Sequence, residues 1–219
     1  MTVVLPALNE EESLRSLLPA LRRSLSDLGV SHEVLLVDGG SSDDTAALAV
    51  RERVEVLDQE SPGFGPAVRA GLSRARGEWI LLMDADGSHS PEDIGGLWAA
   101  RDGFDLVIAS RYVPGGSAAM PFYRLALSRF LNAATRALFR LDVSDASSGF
   151  RLYRAGAVRS LKLLAPDGSI QQEILLGLLR SGARVREVPF SYRPRVGGRS
   201  KAAILRMGVS YLKLFLLLM

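Results

Sequence analysis

The segment WILLMDADGSH, residues 79 to 89, places two aspartates directly after five consecutive apolar residues. A run from Trp79 to Met83 without polar alternation is typical of a strand that helices cover on both faces, as in a parallel sheet. Asp84 and Asp86 follow at the carboxyl end of this strand, where ligands bind in open α/β sheets. Residues two apart in an extended chain lie on one side of it, about 6 to 7 Å apart at Cα, so both carboxylates can face one ligand.

Two neighbouring carboxylates repel each other unless a cation or hydrogen-bond donors lie between them. Their oxygens are hard ligands that suit Mg²⁺ or Mn²⁺. The alternative is a turn whose acidic residues cap the next helix. Ser90, Pro91 and Asp93 already form a helix start of that kind without Asp84 or Asp86. The pair is therefore predicted to bind Mg²⁺ or Mn²⁺.

The composition is that of a folded protein with one large domain, or one domain and an appendage. The 219 residues are 47% apolar, which suffices for a core. Disulfides and thiolate metal sites are excluded because the chain contains no cysteine. A strand is predicted almost at the first residue and no secretion signal is visible, so we expect a cytoplasmic location.

Acidic and basic residues are segregated along the chain. Residues 1–100 carry 8 Lys and Arg against 17 Asp and Glu, whereas residues 101–219 carry 19 against 7. A basic half commonly indicates a nucleic acid, a membrane surface or a phosphorylated substrate. Nucleic acid would favour lysine clusters or stacking aromatics. Here the basic residues are mostly arginine and the aromatics lie among apolar residues, so no nucleic-acid partner is expected.

Strand and helix patterns alternate along most of the chain, which predicts an α/β fold. The predicted strands are residues 2–5, 33–37, 54–57, 78–83, 105–109 and 185–192. The first helix is predicted from about Asn9 to Gly29, because Asn9 and Glu12 have the spacing of a capping box. Further helices are expected after SSDDT and GFGPA, and over about 121–140 and 169–179. The first three helix starts each present backbone N–H groups suited to phosphate or ribose.

The last segment, AAILRMGVSYLKLFLLLM, is apolar but contains Arg206 and Lys213. A spanning helix needs about 20 predominantly apolar residues, so this one is poorly suited to cross a membrane. Arg206, Ser210 and Lys213 fall on one helical face, which favours a helix lying in the membrane interface. Packing against the core, and transmembrane segments after residue 219, remain open alternatives.

Four segments with polar residues at strand ends follow one another: LPALNE, LLVDGGSSDDT, GFGPAVRAGLSRARGEWILLMDADGSH and IASRY. In order and spacing they resemble the GT-A inverting glycosyltransferases of family 2. The later segments SDASSGFRLYR, IQQE and EVPFSYRPRVGGRSK are similar to those of the polyprenol-phosphate group, typified by dolichol-phosphate mannose synthase. The resemblance covers nearly the whole chain. It implies a Rossmann-like, mostly parallel sheet flanked by helices, with a catalytic domain over residues 1–200 and a membrane-associating helix over 201–219.

The resemblance also implies roles for particular residues. The donor-binding residues would be Pro6, Asn9, Glu10, Asp38, Gly65 and Asp84. The catalytic residues would be Asp84, Asp86, Arg111 and Arg195, with Asp84 and Asp86 holding the metal and the diphosphate. The acceptor phosphate would be bound by Arg124, Ser128, Arg195, Ser200 and Lys201. His32 and His89 have no partner at metal-ligand spacing and are predicted to be a surface histidine and a loop histidine.

The chemistry of a phosphate acceptor agrees with this assignment. A phosphate monoester has a second pKa of about 6 and is largely dianionic at pH 7, so no carboxylate base is needed to deprotonate it. The protein must instead supply guanidinium groups that orient two phosphates of like charge, and a metal that neutralises the leaving diphosphate. The acid-rich first half and the arginine-rich second half fit this division of tasks.

We therefore expect a hexose to be transferred with inversion, most simply mannose from GDP-mannose, to a polyprenyl phosphate. The site would lie at the cytoplasmic face of a membrane. Two alternatives stay open: the same chemistry with UDP-glucose or another UDP-sugar, and a nucleotide-sugar-binding membrane module without catalysis. The sequence leaves the oligomeric state undetermined.

Overall fold

The computed structural model describes residues 1–59 and 61–195. The strands of the main sheet are β1 (Thr2–Ala7), β2 (Glu33–Asp38), β3 (Glu55–Asp58), β4 (Trp79–Leu82), β5 (Leu106–Ser110), β7 (Arg151–Arg154) and β8 (Val185–Pro189). They are arranged in the order β3–β2–β1–β4–β7–β5–β8. A second, two-stranded sheet pairs β6 (Ser117–Ala118) with β9 (Ser191–Tyr192).

Helices cover both faces of the main sheet. They are α1 (Glu11–Asp27), α2 (Thr45–Arg51), α3 (Phe64–Arg74), α4 (Ile94–Ala99), α5 (Phe122–Phe139), α6 (Ala155–Arg159) and α7 (Ile170–Arg180). One core lies between the sheet and helices α1, α2 and α4, and the other between the sheet and α3, α6 and α7. The predicted α/β fold with a mostly parallel sheet is confirmed.

Strand β4 shows why the apolar run after Trp79 lacks alternation. Ile80, Leu81 and Leu82 are all fully buried. Leu81 faces one core, whereas Ile80 and Leu82 face the other. Successive strand residues point to opposite faces, and each face here is covered by helices, so every position must be apolar.

Strand β7 was not predicted. It runs antiparallel between β4 and β5, with Leu82 opposite Arg151. Its sequence, RLYR, does not have the pattern of a buried strand, because it begins with an arginine. Arg151 is nevertheless fully buried. The guanidinium of Arg151 is satisfied by the carbonyl oxygens of Ser148, Gln171 and Ala146 at 2.7, 2.6 and 2.7 Å. Because β7 is antiparallel, the residues that precede it lie at the carboxyl end of β4.

The predicted strand over residues 185–192 is in fact two strands in two sheets. Pro189 ends β8, since it has no N–H to donate. Phe190 links the two sheets, because its N–H donates to Ser110 and its carbonyl accepts from Ser117. Strand β9 then pairs with β6. The N–H of Arg193 donates to the carbonyl of Ser88 at 3.1 Å, which brings the following residues over the carboxyl edge of β4.

Helix α5 packs on the domain along one side only. Asn132 and Thr135 are its buried residues, whereas Phe122 and Phe130 are 85% and 68% exposed. No helix within residues 1–59 and 61–195 is long and apolar enough to cross a membrane. The helix predicted over 201–219 lies outside the described residues, as do the last five residues of the predicted catalytic domain.

Candidate active site

The two aspartates of the opening segment lie in the turn that follows β4. The backbone N–H of Asp84 donates to Nδ1 of His89 at 2.9 Å, and Oδ1 of Asp86 accepts the N–H of Ser88 at 2.9 Å. The Asp84 side chain is 33% exposed and the Asp86 side chain 12% exposed. The turn therefore holds both carboxylates at the edge of the sheet, and Asp84 remains accessible to a ligand.

Arg195 forms an ion pair with Asp86 across this edge. Its Nη2 and Nε lie 2.7 and 3.2 Å from Oδ2 of Asp86, and Nη2 lies 3.5 Å from Oε1 of Glu10. The structure thus brings together a residue predicted for the acceptor phosphate, one predicted for the metal and one predicted for the donor. A cation against the aspartate pair is what the repulsion between the carboxylates requires.

The two aspartates differ in their electrostatic environment. Burial raises the pKa of Asp84 above its usual value, and the charge of Asp86 adds to this, although His89, Arg195 and Arg111 oppose it. Burial would also raise the pKa of Asp86, but hydrogen bonds with Ser88 and Arg195 outweigh it, so its pKa lies below the usual value. The environment therefore favours the carboxylate form of Asp86, whereas burial disfavours the charged form of Asp84.

Asn9 and Glu10 lie in the turn between β1 and α1. The Oδ1 atom of Asn9 accepts the N–H of Ser42 at 2.8 Å, and the N–H of Glu10 donates to Oγ1 of Thr45 at 2.8 Å. The predicted capping box is wrong, because Glu10 is the residue that precedes α1 and its side chain makes no capping hydrogen bond. Asn9, which adopts a φ of 54°, instead links the turn after β1 to the turn after β2.

Pro6 and Asp38 lie on the two neighbouring strands β1 and β2. Pro6 is buried and pairs in register with Val37, and Ala7 pairs with Asp38. The Asp38 carboxylate accepts the N–H groups of Gly40 and Ser41 at 3.2 and 3.0 Å, and the Ser41 hydroxyl at 2.5 Å. Asp38 thereby shapes the loop after β2, at the same sheet edge as Asp84.

Gly65 lies in the first turn of α3 and contacts the segment before α7. Its N–H donates to the carbonyl of Pro166 at 3.1 Å, and a Cβ at this position would lie 2.0 Å from the carbonyl oxygen of Ala165. Only glycine permits this approach. The structure thus explains Gly65 by packing, and its role in donor binding stays a prediction.

Arg111 follows β5 and forms a buried, two-pronged ion pair with Asp145. Its Nε and Nη2 lie 2.7 and 2.6 Å from the two carboxylate oxygens, and Nη2 also donates to Ser147 at 2.7 Å. Although burial disfavours the charge, hydrogen bonds to Arg111 hold the pKa of Asp145 below its usual range. The charge of Arg111 also opposes the rise in the pKa of Asp84.

The residues predicted for the acceptor phosphate are brought only partly into this site. The Ser128 hydroxyl accepts a hydrogen bond from the Tyr112 hydroxyl at 2.7 Å, and Tyr112 adjoins Arg111. Arg124 lies on the exposed side of the first turn of α5 and forms no ion pair with any residue in the described ranges. Ser200 and Lys201 lie outside the described residues.

His89 is a residue whose importance the sequence did not reveal. His89 lies in the loop after β4, as predicted, but it is only 2% exposed and stacks on Phe150 with ring centroids 4.9 Å apart. Burial lowers its pKa, so the ring is neutral, and its Nδ1 accepts the N–H of Asp84. His89 therefore fixes the backbone of Asp84. Its position three residues after Asp86 was the only available signal.

Gln171 is a second such residue. It is buried at the start of α7, and its Oε1 accepts a hydrogen bond from the Tyr153 hydroxyl at 3.2 Å. Its Nε2 is buried and has no hydrogen-bond partner within residues 1–59 and 61–195. A Cβ built on Gly149 would lie 3.6 Å from this nitrogen and 3.5 Å from Oδ1 of Asp84, so both groups border the same space. A glutamine pair in the apolar helix IQQEILLGLL was the signal that pointed to it.

The site combines carboxylates at the ends of β1, β2 and β4 with arginines from the later part of the chain. Such an edge of an open α/β sheet is suited to a ligand that carries phosphates and binds a metal. Residues 2–162 match the glycosyl transferase family 2. The chain belongs to this family and is a glycosyltransferase.

Two curated relatives illustrate its place in the family. The chain is 36% identical over 214 residues to the polyprenol monophosphomannose synthase of Mycolicibacterium smegmatis, covering 91% of this chain and 79% of that protein. It is 34% identical over 212 residues to the dolichol-phosphate mannosyltransferase of Pyrococcus furiosus, covering 92% of this chain and 58% of that protein.

A solved structure confirms the fold. Glucosyl-3-phosphoglycerate synthase from Mycobacterium tuberculosis, in complex with Mg²⁺ and uridine-diphosphate, superposes with a TM-score of 0.73. The match has 24% identity and covers 97% of this chain and 78% of that one. The predicted GT-A architecture is thereby confirmed.

Proposed function

We propose that this protein transfers a hexose, mannose from GDP-mannose, to a polyprenyl phosphate with inversion at the anomeric carbon. The observation that carries the proposal is the meeting of Asp84, Asp86 and Arg195 at the carboxyl end of β4, with Arg111 at the carboxyl end of β5 on the same edge of the sheet. This arrangement provides carboxylates for a metal and guanidinium groups for phosphates within one site. The two mannosyl-transferring relatives, at 36% and 34% identity, support the choice of sugar and of acceptor.

The aspartate pair fits a divalent cation. Asp86 already holds a cationic group, the Arg195 guanidinium, at 2.7 Å, and Asp84 is open to solvent on one side. Within the described ranges, no cluster of three or more His, Cys, Asp or Glu could hold a metal alone. Two carboxylates are nevertheless what Mg²⁺ commonly uses when a substrate diphosphate supplies further oxygens. Bound there by Asp84 and Asp86, Mg²⁺ or Mn²⁺ would neutralise the leaving diphosphate.

The proposed donor pocket is formed by the ends of β1, β2 and β4. The turns that contain Asn9, Glu10 and Asp38 are tied together by the hydrogen bonds to Ser41, Ser42 and Thr45. A pocket whose loops are fixed before the donor arrives loses less conformational entropy on binding. Pro6 and Gly65 would complete the part of the pocket that binds the nucleotide of the donor.

In the proposed reaction an acceptor phosphate oxygen attacks the anomeric carbon while the bond from that carbon to the nucleoside diphosphate breaks. No proton has to be removed, because the acceptor is largely dianionic at neutral pH. Arg195 would exchange its contact with Asp86 for the acceptor phosphate, helped by Arg124, Ser128, Ser200 and Lys201. Arg111, oriented by Asp145, would stabilise the charge that develops on the diphosphate.

A membrane surface is the proposed location of the acceptor, on its cytoplasmic face. The exposed apolar residues of α5 support this, because Phe122 and Phe130 have no covering side chains among the described residues. Large exposed apolar patches commonly mark membrane or protein contacts. We expect Phe122→Ser together with Phe130→Ser to weaken binding to phosphatidylcholine vesicles in a sedimentation assay. The control Val50→Ser with Leu164→Ser, also at exposed positions, should bind as the parent does; equal loss in both variants would contradict the assignment to α5.

A UDP-sugar donor is the second candidate. The solved structural relative was crystallised with UDP-glucose and Mn²⁺ in one complex. This relative is only 24% identical to the chain, against 36% and 34% for the mannosyl-transferring proteins, so mannose is favoured. The two donors are distinguished directly in the assay described next.

The decisive test is a panel of GDP-mannose, UDP-glucose and other nucleotide sugars with a short polyprenyl phosphate and Mg²⁺ or Mn²⁺. We expect labelled lipid product with GDP-mannose and opposite anomeric configurations in donor and product. Asp86→Ala should abolish both transfer and metal-dependent donor binding, because the metal would lose a charged ligand. The control Asp102→Ala removes a carboxylate that is 85% exposed and should remain active. Full turnover by Asp86→Ala would refute the metal assignment. Product formed from UDP-glucose alone would show that UDP-glucose, and not GDP-mannose, is the donor.

A further inference from the structure

A cavity of about 480 Å³ lies next to Arg111, between the loop after β5 and helix α5. Its wall includes Arg111, Arg129 and Arg136, together with Asn132 and Ser144. None of the residues that line it carries a carboxylate. Arg124 and Ser128, proposed above for the acceptor phosphate, are not part of this wall, whereas Arg111 borders both the cavity and the proposed active site.

The charges around the cavity do not balance. The buried carboxylate of Asp145 compensates the charge of Arg111. Arg129 lies over the ring of Tyr112, 5.8 Å from its centroid, and neither Arg129 nor Arg136 has a carboxylate within ion-pair distance in the described part of the chain. Two positive charges therefore remain for an anion.

The positions of these two arginines suit a single anionic group. They are seven residues apart, which places them on one side of α5 about 10.5 Å apart along its axis. Long guanidinium side chains can converge across that distance, and their planar donor geometry matches phosphate oxygens. Asn132 lies between them and donates to the Ser128 carbonyl and the Ser147 hydroxyl, both at 2.9 Å. Its buried Oδ1 has no hydrogen-bond partner among the residues that the structure describes.

The surroundings of the cavity indicate which molecule would carry the phosphate. Arg129 is followed directly by Phe130, which is 68% exposed on the apolar side of α5. A lipid could place its head group between Arg129 and Arg136 and its acyl chains along this apolar side. We propose that the cavity is a phosphate-binding site for an anionic glycerophospholipid. It would orient α5 on the membrane.

The test uses the full chain and lipids that stay monomeric in water, so that vesicle binding by other segments does not contribute. Dihexanoyl-phosphatidylglycerol, dihexanoyl-phosphatidylcholine and sn-glycerol 1-phosphate are titrated separately by isothermal calorimetry. We expect the phosphatidylglycerol to bind and the phosphatidylcholine to bind much more weakly. Arg129→Gln with Arg136→Gln should weaken phosphatidylglycerol binding about 30-fold, which corresponds to about 1 kcal/mol for each arginine.

Two variants guard against indirect effects. Arg23→Gln with Arg51→Gln removes the same charge from exposed positions on α1 and α2 and should bind as the parent does. Ala133→Glu places a carboxylate in the cavity wall at an exposed helix position and should abolish binding.

Each outcome decides the proposal. Equal binding of sn-glycerol 1-phosphate and the phosphatidylglycerol would confirm the phosphate chemistry but assign the site to a soluble ligand. Absence of binding, equal binding of both lipids, or parent-like binding by the Arg129 and Arg136 variant would overturn it. Because no donor is present, these results do not depend on the proposed transferase specificity.

Discussion

The ion pair between Arg111 and Asp145 offers the most direct test of how this site is held together. Its side chains are 10% and 0% exposed, and Asp145 also accepts the backbone N–H of Arg111 at 3.1 Å. We predict that Asp145→Asn lowers the free energy of unfolding by about 3 to 5 kcal/mol, the usual cost of removing one partner from a buried pair. Either orientation of the new amide also directs its NH₂ group at donors of Arg111. A typical domain is stable by about 5 to 15 kcal/mol, so the variant would be markedly labile.

The measurement is urea unfolding followed by circular dichroism at pH 7.5, with Asp102→Asn as the control. Asp102 lies 3.7 Å from Arg101 and is 85% exposed, so its loss should change the stability by less than about 1 kcal/mol. A value for Asp145→Asn within 1 kcal/mol of the parent would refute the reasoning, since ~3 kcal/mol is the least that a buried pair should cost.

The same pair predicts a dependence on pH. Hydrogen bonds to Arg111 lower the pKa of Asp145 in the folded state below its value of 3.8 in the unfolded chain. A carboxylate of this kind contributes stability above the unfolded pKa and loses it as pH falls through the folded pKa. The stability difference between the parent and Asp145→Asn should therefore be constant from about pH 5 upward and narrow below pH 3.8. A difference that grew in acid would contradict the assignment.

Two further predictions concern packing and metal binding. Gly65→Ala should lower the free energy of unfolding in urea by about 1 to 3 kcal/mol, because its Cβ would overlap the Ala165 carbonyl. The control Gly156→Ala, at a helical position with open space, should raise it by up to about 1 kcal/mol. Equal changes in the two variants would contradict the packing of Gly65 against Ala165. Arg195→Gln should bind Mn²⁺ about fivefold tighter in an electron paramagnetic resonance titration. In the parent, Mn²⁺ binding to Asp86 has to break the ion pair with Arg195, which costs about 1 kcal/mol, and the variant lacks this pair. Weaker Mn²⁺ binding would show that Arg195 supports the metal site, and transfer should fall in either case.

Strands β1, β2, β4 and β5 could be predicted because most of their residues are apolar and lie in short uninterrupted runs. Strand β7 escaped prediction because Arg151 looks polar, although three backbone carbonyls satisfy its guanidinium in the core. The capping box failed for a similar reason. Asn9 has the right residue type and spacing, but its side chain instead accepts the N–H of Ser42 in a neighbouring loop. Local sequence patterns thus predicted most helices and strands, whereas contacts between distant segments determined the hydrogen-bond partners of the polar side chains.

The candidate site shows the same division. The positions of Asp84, Asp86 and Arg111 could be predicted because each follows a recognisable strand. Their ion pairs could not be predicted. Arg195 was expected in the site from the family resemblance, but its contact with Asp86 was not, and Asp145 was not identified. Both partners come from segments more than 30 residues away and join the site through β7 and β9. His89 was missed because nothing in the sequence shows that a loop residue is enclosed by Phe150 and other aromatic rings.

The placement of Arg195 on Asp86 links the two substrates of the proposed reaction. Moving this guanidinium away would leave Asp86 without a partner in a largely buried position, and an unpaired buried charge is costly. A divalent cation that arrives with the donor would restore that partner and release Arg195. The released guanidinium would then meet a phosphate only if the acceptor is present. An ordered binding of donor before acceptor therefore follows from the charge balance of Asp86, and product-inhibition kinetics in which acceptor binding precedes the donor would contradict it.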